Sequence, residues 1–214
     1  MPTARLSRSE QTERNRTRLL DAARRLFMAR GYHAATLEQI AEEAGFSKGV
    51  VYSQFHSKAD LFMTLLEARI EERAAENARL VEDIAGERAI ATLFENAVRI
   101  ARAEPEWGLL VIEFRVHAAR ARDVNRRYAA AHERTLEGLA GVVAQVYEHA
   151  GERPPFEPRQ VAEVILAIGA GTQLEQAADS GALGGPLAGQ LFARLLTQPV
   201  AIAADGASRS RRLA

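Results

Sequence analysis

Apolar residues return at helical spacing along almost the whole chain. Between Thr17 and Arg30, Leu19, Leu20, Ala23, Leu26 and Phe27 share one side of a 3.6-residue wheel, and Gly31 follows where a left-handed cap commonly sits, predicting a first helix over about 11–30. Thr36 stands three residues before Gln39, a capping-box spacing, and Leu37, Ile40, Ala41 and Ala44 make one apolar face, predicting a short second helix over about 37–44. Gly45 and Phe46 supply a turn, and Ser47 can cap a third short helix that runs to Phe55. Ser57 caps a long helix reaching about Ala85, with Leu61, Phe62, Leu65, Leu66 and Ile70 as its apolar positions. Further helices are expected over about 87–103, 105–121, 124–150 and 159–179; Pro105 suits a first turn, and Pro154, Pro155 and Pro158 punctuate the last gap. An amphipathic segment, Leu187–Leu196, follows the Gly184-Gly185-Pro186 break, and the basic tail 205–214, with Arg209, Arg211 and Arg212, reads as disordered. No alternating stretch of any length occurs, so the fold class is all-α.

Composition narrows the class of protein without naming one. The 214 residues, 47% hydrophobic and 26% charged, suit a folded chain of two linked helical units. The absence of cysteine excludes disulfide frameworks and thiolate zinc sites. Met1–Gln11 is polar, and no run approaches the ~18 apolar residues of a membrane span, so a cytoplasmic protein with no membrane partner is expected. The net charge of zero conceals an asymmetry: residues 1–58 hold ten Lys or Arg against six acids, leaving +4 there and −4 in the remainder. A basic end on an acidic body is the arrangement expected when one part meets phosphate.

The third helix carries the most informative chemistry. Val51 and Phe55, four apart, share a face that must be buried, which leaves Gly49, Val50 and Ser53 outward, flanked by Lys48, Tyr52 and Gln54. Glycine weakens a helix by about 1 kcal/mol relative to alanine, so its presence there suggests a compensating gain. In a major groove, Gly49 allows close backbone approach, Val50 can touch a thymine methyl, and Lys48 and Gln54 can hydrogen-bond base edges. Thr36 and Ser47 at helix N-termini, with Tyr52, His56 and Lys58, can hold phosphates, contacts that position rather than specify.

The run Thr36-Leu37-x-x-Ile40-Ala41-x-x-Ala44-Gly45-Phe46-Ser47-x-Gly49-x-x-Tyr52-x-x-Phe55-x-Ser57-Lys58-x-x-Leu61 closely resembles the DNA-binding signature of the tetracycline-repressor family, and the resemblance extends over about residues 12–62, Phe27 and Gly31-Tyr32 included. Gln54 departs from it, standing where the family often has His or Tyr. The resemblance implies that Lys48, Gly49, Val50, Ser53 and Gln54 face base pairs while Thr36, Ser47, Tyr52 and Lys58 hold the backbone. It also implies a three-helix helix-turn-helix domain over 1–58, joined by the long helix to a helical ligand-binding and dimerisation domain over 59–204. The partners so implied are a palindromic double-stranded operator, a second copy of the chain and a small-molecule effector, and no cofactor or metal is expected.

Beyond residue 58 the sequence is less explicit. Trp107, Leu110, Phe114 and His117 fall on one side of their helix, with Glu113 and Arg115 nearby, a stripe that suits either a core or a pocket lining; Phe94, Tyr128, Tyr147 and Gln173 complete the candidate effector set. The Gly169-x-Gly171 pair lies in a helical run without a preceding strand, so small residues permitting close helix approach explain it better than dinucleotide binding. An enzyme is disfavoured: His132-Glu133 lacks the second histidine of a zincin, and neither a P-loop nor a nucleophile elbow is present. A helix-turn-helix that binds protein instead of DNA is the remaining alternative.

Overall fold

The computed structural model describes residues 7–151, 153, 156–179 and 181, and the expected Leu187–Leu196 segment and basic tail lie outside them. Eight helices make up the described residues, without strands: α1 (Arg8–Ala34), α2 (Leu37–Glu43), α3 (Lys48–Gln54), α4 (Lys58–Leu80), α5 (Gly86–Ala103), α6 (Pro105–Ala119), α7 (Arg122–Ala150) and α8 (Pro158–Ala178). The all-α expectation is met.

Local chemistry sets the boundaries. Helix α1 begins earlier than the apolar pattern predicts because Ser7 and Glu10 form a capping box, each side chain taking the other's backbone N–H. It does not stop at Gly31: that residue takes φ 77°, ψ 170°, and one more helical turn follows before the chain extends at Ala35. Thr36 and Gln39 form the second capping box, with both hydrogen bonds present at 3.1 and 3.2 Å. Gly45, at φ 73°, then reverses the chain so that the Phe46 N–H reaches the Ala41 carbonyl at 2.8 Å. Ser47 occupies the N-cap of α3, but its hydroxyl makes no capping bond, so the geometry of the turn fixes that helix start. Ser57 does cap α4, through the Asp60 N–H at 3.0 Å. Pro105 and Pro158 stand in the first turns of α6 and α8.

Two apolar clusters hold these helices. The first joins α1, α2 and α3 through Leu19, Phe27, Ile40, Val51 and Phe55, and continues through Leu61, Phe62 and Met63 of α4 into Leu110, Phe114 and Ala118 of α6 and Ala131 of α7. The second lies farther along, where Ile90, Leu93 and Phe94 of α5 meet Val143, Val146 and Tyr147 of α7 and Val161 of α8. Phe62 is the aromatic hinge of the first cluster, 5.4 Å from Phe27, 5.5 Å from Tyr32, 4.3 Å from Phe114 and 6.3 Å from Trp107 between ring centroids. The three-helix unit is thus packed directly onto α6.

Candidate nucleic-acid interface

Helix α3 buries one residue, Val51, and Phe55 beyond its end is buried with it, as the wheel requires. Lys48, Gly49, Tyr52 and Ser53 are exposed, Tyr52 by 50% despite its size. Val50, expected on the outer face, is half-buried against the first core cluster, which leaves only part of its side chain for a partner. A Cβ built at Gly49 would meet only Ser47 Oγ, at 3.8 Å. Nothing inside the chain therefore demands glycine at that position.

The other candidates are arranged around this face with their polar groups partly engaged. Ser53 Oγ donates to the Val50 carbonyl at 2.8 Å, an intrahelical bond that competes with any external contact. Half-buried Gln54 gives its carbonyl to Arg16 at 3.5 Å. His56 has an exposed side chain, and its backbone N–H donates to Asp60 Oδ2 at 2.9 Å. Thr36 is exposed at the head of α2. Lys58 differs from the rest: its Nζ donates to the carbonyls of Tyr32, His33 and Ala35 at 2.7, 3.0 and 2.9 Å and lies 4.6 Å from the Tyr32 ring centroid. That ammonium is spent on closing the turn after α1.

Two residues that the sequence pattern does not single out organise the neighbourhood. Glu38 of α2 accepts the Tyr52 hydroxyl at 3.0 Å and lies 3.7 Å from Lys48 Nζ. Its own backbone N–H and the Tyr52 hydroxyl hold its carboxyl below the usual carboxylate range, and the same bond raises the Tyr52 phenol. Glu113 of α6 accepts the backbone N–H groups of Tyr32 and His33 at 2.9 and 3.0 Å. A charged residue within the apolar run Gly108–Val116 is the signal that could have identified it.

The candidate effector residues divide between the two clusters. Trp107, Leu110, Phe114 and Tyr128 belong to the first, and His117 faces its aromatic wall, 5.0 Å from the Tyr32 ring. Burial, followed by His33 and Lys58, lowers the His117 pKa. Phe94 and Tyr147 belong to the second cluster, so the eight do not converge on one place. The Gln173 amide lies over Gly108, where a Cβ would come within 2.2 Å of Nε2, so a glycine on α6 makes room for it. Among the described residues, no three His, Asp or Glu side chains gather as a metal site needs, and no helix is long and apolar enough to cross a membrane.

A short helix with an exposed aromatic, a lysine and an unobstructed glycine, set on a second short helix at the basic end of the chain, forms a helix-turn-helix, the unit with which many DNA-binding proteins enter the major groove. Residues 19–65 match the family described as bacterial regulatory proteins, tetR family. It is 43% identical over 67 residues to the HTH-type transcriptional activator FasR of Mycolicibacterium smegmatis, a match covering 31% of this chain and 29% of that protein. It is 28% identical over 148 residues to the HTH-type transcriptional regulator UidR of Escherichia coli K12, covering 69% of this chain and 72% of UidR. The fold matches that of the transcriptional regulator FadR from Bacillus subtilis in complex with stearoyl-CoA, with a TM-score of 0.69 at 14% identity over 86% of this chain and 98% of FadR. The stronger sequence likeness thus spans less than a third of either chain, and the family match stops at residue 65.

Proposed function

We propose that this chain is a homodimeric, effector-responsive transcriptional repressor that reads a palindromic operator with α3. The observation that carries the reading is the surface of that helix: Gly49 is exposed, unobstructed and not required by any internal contact, between exposed Lys48 and Tyr52. A helix inserted in the major groove gains from such a position, because the missing side chain lets the backbone come close to base edges. Lys48, Gly49, Val50, Ser53 and Gln54 are assigned to the bases, Thr36, Ser47, Tyr52 and His56 to the sugar-phosphate backbone, and Lys58 to support of the α1–α2 turn that carries them. Two copies would place their α3 helices about 34 to 36 Å apart, one turn of duplex.

An effector among α4, α6, α7 and α8, against Trp107, His117, Tyr128 and Gln173, would act on the helix-turn-helix through α4 and α6, which both pack against α1. The FadR structure with stearoyl-CoA supports a small-molecule effector in a body of this fold. FasR, by contrast, is named an activator, so the sign of regulation has to be measured directly. Selection of duplexes from a random pool by the purified protein tests the reading. A palindromic motif is expected, altered by Lys48→Ala and weakened uniformly across sequences by Tyr52→Ala, with affinity falling steeply as salt rises. A reporter placed behind that motif then gives the sign. Failure to enrich any duplex, with or without cell extract as a source of effector, would overturn the assignment and favour a protein partner for α3.

A further inference from the structure

Glu38 is a carboxylate set among groups assigned to grip DNA. Its Oε1 accepts the Tyr52 hydroxyl at 3.0 Å and stands 3.7 Å from Lys48 Nζ, and its own helix is headed by Thr36. Ionised Glu is an acceptor only and has nothing to offer a phosphate. A duplex that recruits Lys48 and Tyr52 must take both from Glu38 and bring its phosphates towards a fixed negative charge. Side-chain exposure of 71% for Lys48 and 37% for Glu38 leaves the pair open to this exchange.

We propose that Glu38 sets the selectivity of DNA binding by occupying Lys48 and Tyr52 when no operator is present; the proposal rests on the DNA-binding reading above. Non-specific association draws essentially on charge, so it loses most when Lys48 is neutralised within the chain. An operator recovers the difference through base contacts that random sequence lacks. Glu38 acts through Lys48 and Tyr52 and is a positioning residue. Its effect on the free protein is a matter of which partner those two side chains hold, not of whether α2 forms.

The test compares wild type, Glu38→Gln, Lys48→Ala, Tyr52→Phe and the Glu38→Gln/Lys48→Ala double variant, each as the full chain. Affinity is measured for the selected operator and for random duplex across a salt series. Glu38→Gln is expected to tighten random-duplex binding about three- to tenfold and operator binding less, so that the ratio between them falls. Its salt slope should steepen by up to about one, the value of one further phosphate contact. Most of the gain should vanish when Lys48 is already alanine, and Tyr52→Phe, which removes a donor assigned to phosphate and leaves Glu38 ionised beside Lys48, should show no gain. Thermal midpoints report folding separately, and a merely structural role for Glu38 would move them while leaving the salt slope and the ratio unchanged. Equal tightening on both duplexes, or a gain that survives intact without Lys48, would overturn the proposal while the DNA-binding reading stands. A wild type that prefers no sequence would remove that reading and the proposal together.

Discussion

The carboxylate of Glu113 accepts the backbone N–H of Tyr32, 81 residues earlier in the chain, at 2.9 Å, and that of His33 at 3.0 Å. One side chain from α6 thus satisfies two donors in the last turn of α1, just past the Gly31 kink, while Lys58 from α4 takes three carbonyls at the same helix end. The base of the helix-turn-helix is held from both sides by α4 and α6. Glu113→Ala leaves both N–H groups without a partner, and a loss of about 1–3 kcal/mol in unfolding free energy is expected by urea titration. Glu113→Gln, which keeps one acceptor oxygen and turns a donor towards the other N–H, should fall between wild type and alanine. Equal stability of wild type and Glu113→Ala would show that water replaces the carboxylate without cost.

Gly31 makes this arrangement possible. Its backbone, at φ 77° and ψ 170°, occupies a region that is essentially restricted to glycine, and a Cβ there would stand 2.9 Å from Glu113 Oε2. Gly31→Ala is expected to cost about 1–3 kcal/mol from backbone strain, with displacement of the carboxylate added. The two parts separate in a double variant. In the Glu113→Ala background the steric part disappears and the strain remains, so the second substitution should cost less than it does in wild type. Additive losses would place the whole effect in the backbone.

Much of this architecture was legible from the sequence, because helices are punctuated locally. The apolar stripes, the Thr36 and Ser57 caps, the Gly45 turn and the N-terminal prolines each declare themselves within about four residues of chain. Helix α1 starts before its apolar stripe because the Ser7 and Glu10 cap precedes the first apolar residue, and it runs on past Gly31 because that residue kinks the helix instead of ending it. The outer face of α3 was also legible, except that Val50 is drawn half into the core. What the pattern could not show is pairing across distance. Glu38 looks like an ordinary surface acid in the sequence, Glu113 shows only as a charge within an apolar run, and Lys58 looks like a phosphate ligand, since the groups that occupy them come from other helices. The wider candidate effector set does not converge for the same reason: Phe94 and Tyr147 have the right residue types but pack in the second cluster.

Tyr32 gives the junction an alkaline signature. Burial, and then the charge of Glu113, push its phenol up to about 12 from an ordinary 10.0. The folded state therefore keeps a proton that the unfolded chain releases, so this contribution is fully present below about pH 10 and is lost as the pH rises towards about 12. Lys58 opposes it, because burial lowers its pKa below 10.5 and stability from that group rises with pH over its own interval. The measurement is accordingly a comparison of Tyr32→Phe with wild type at about pH 9 and about pH 11. The urea midpoint of wild type should fall more than that of the variant between the two. Parallel curves would mean that the Tyr32 phenol titrates alike in both states.

Gly49 offers the sharpest separation of folding from function. On the exposed side of α3 its replacement by alanine meets only Ser47 Oγ at 3.8 Å, an ordinary contact, and exchanges a poor helix former for the best. Gly49→Ala should leave stability unchanged or raise it by about 0.5–1 kcal/mol. In a major groove the added methyl holds the helix backbone off the base edges, and affinity for the selected operator should fall on the order of tenfold, about 1.4 kcal/mol. Random-duplex affinity, which depends on phosphates and not on groove depth, should change little. A variant that is more stable and binds its operator as well as wild type would make Gly49 an ordinary surface residue and move base reading to another part of the chain. Opposite movement of stability and operator affinity in one substitution is what close approach through α3 requires.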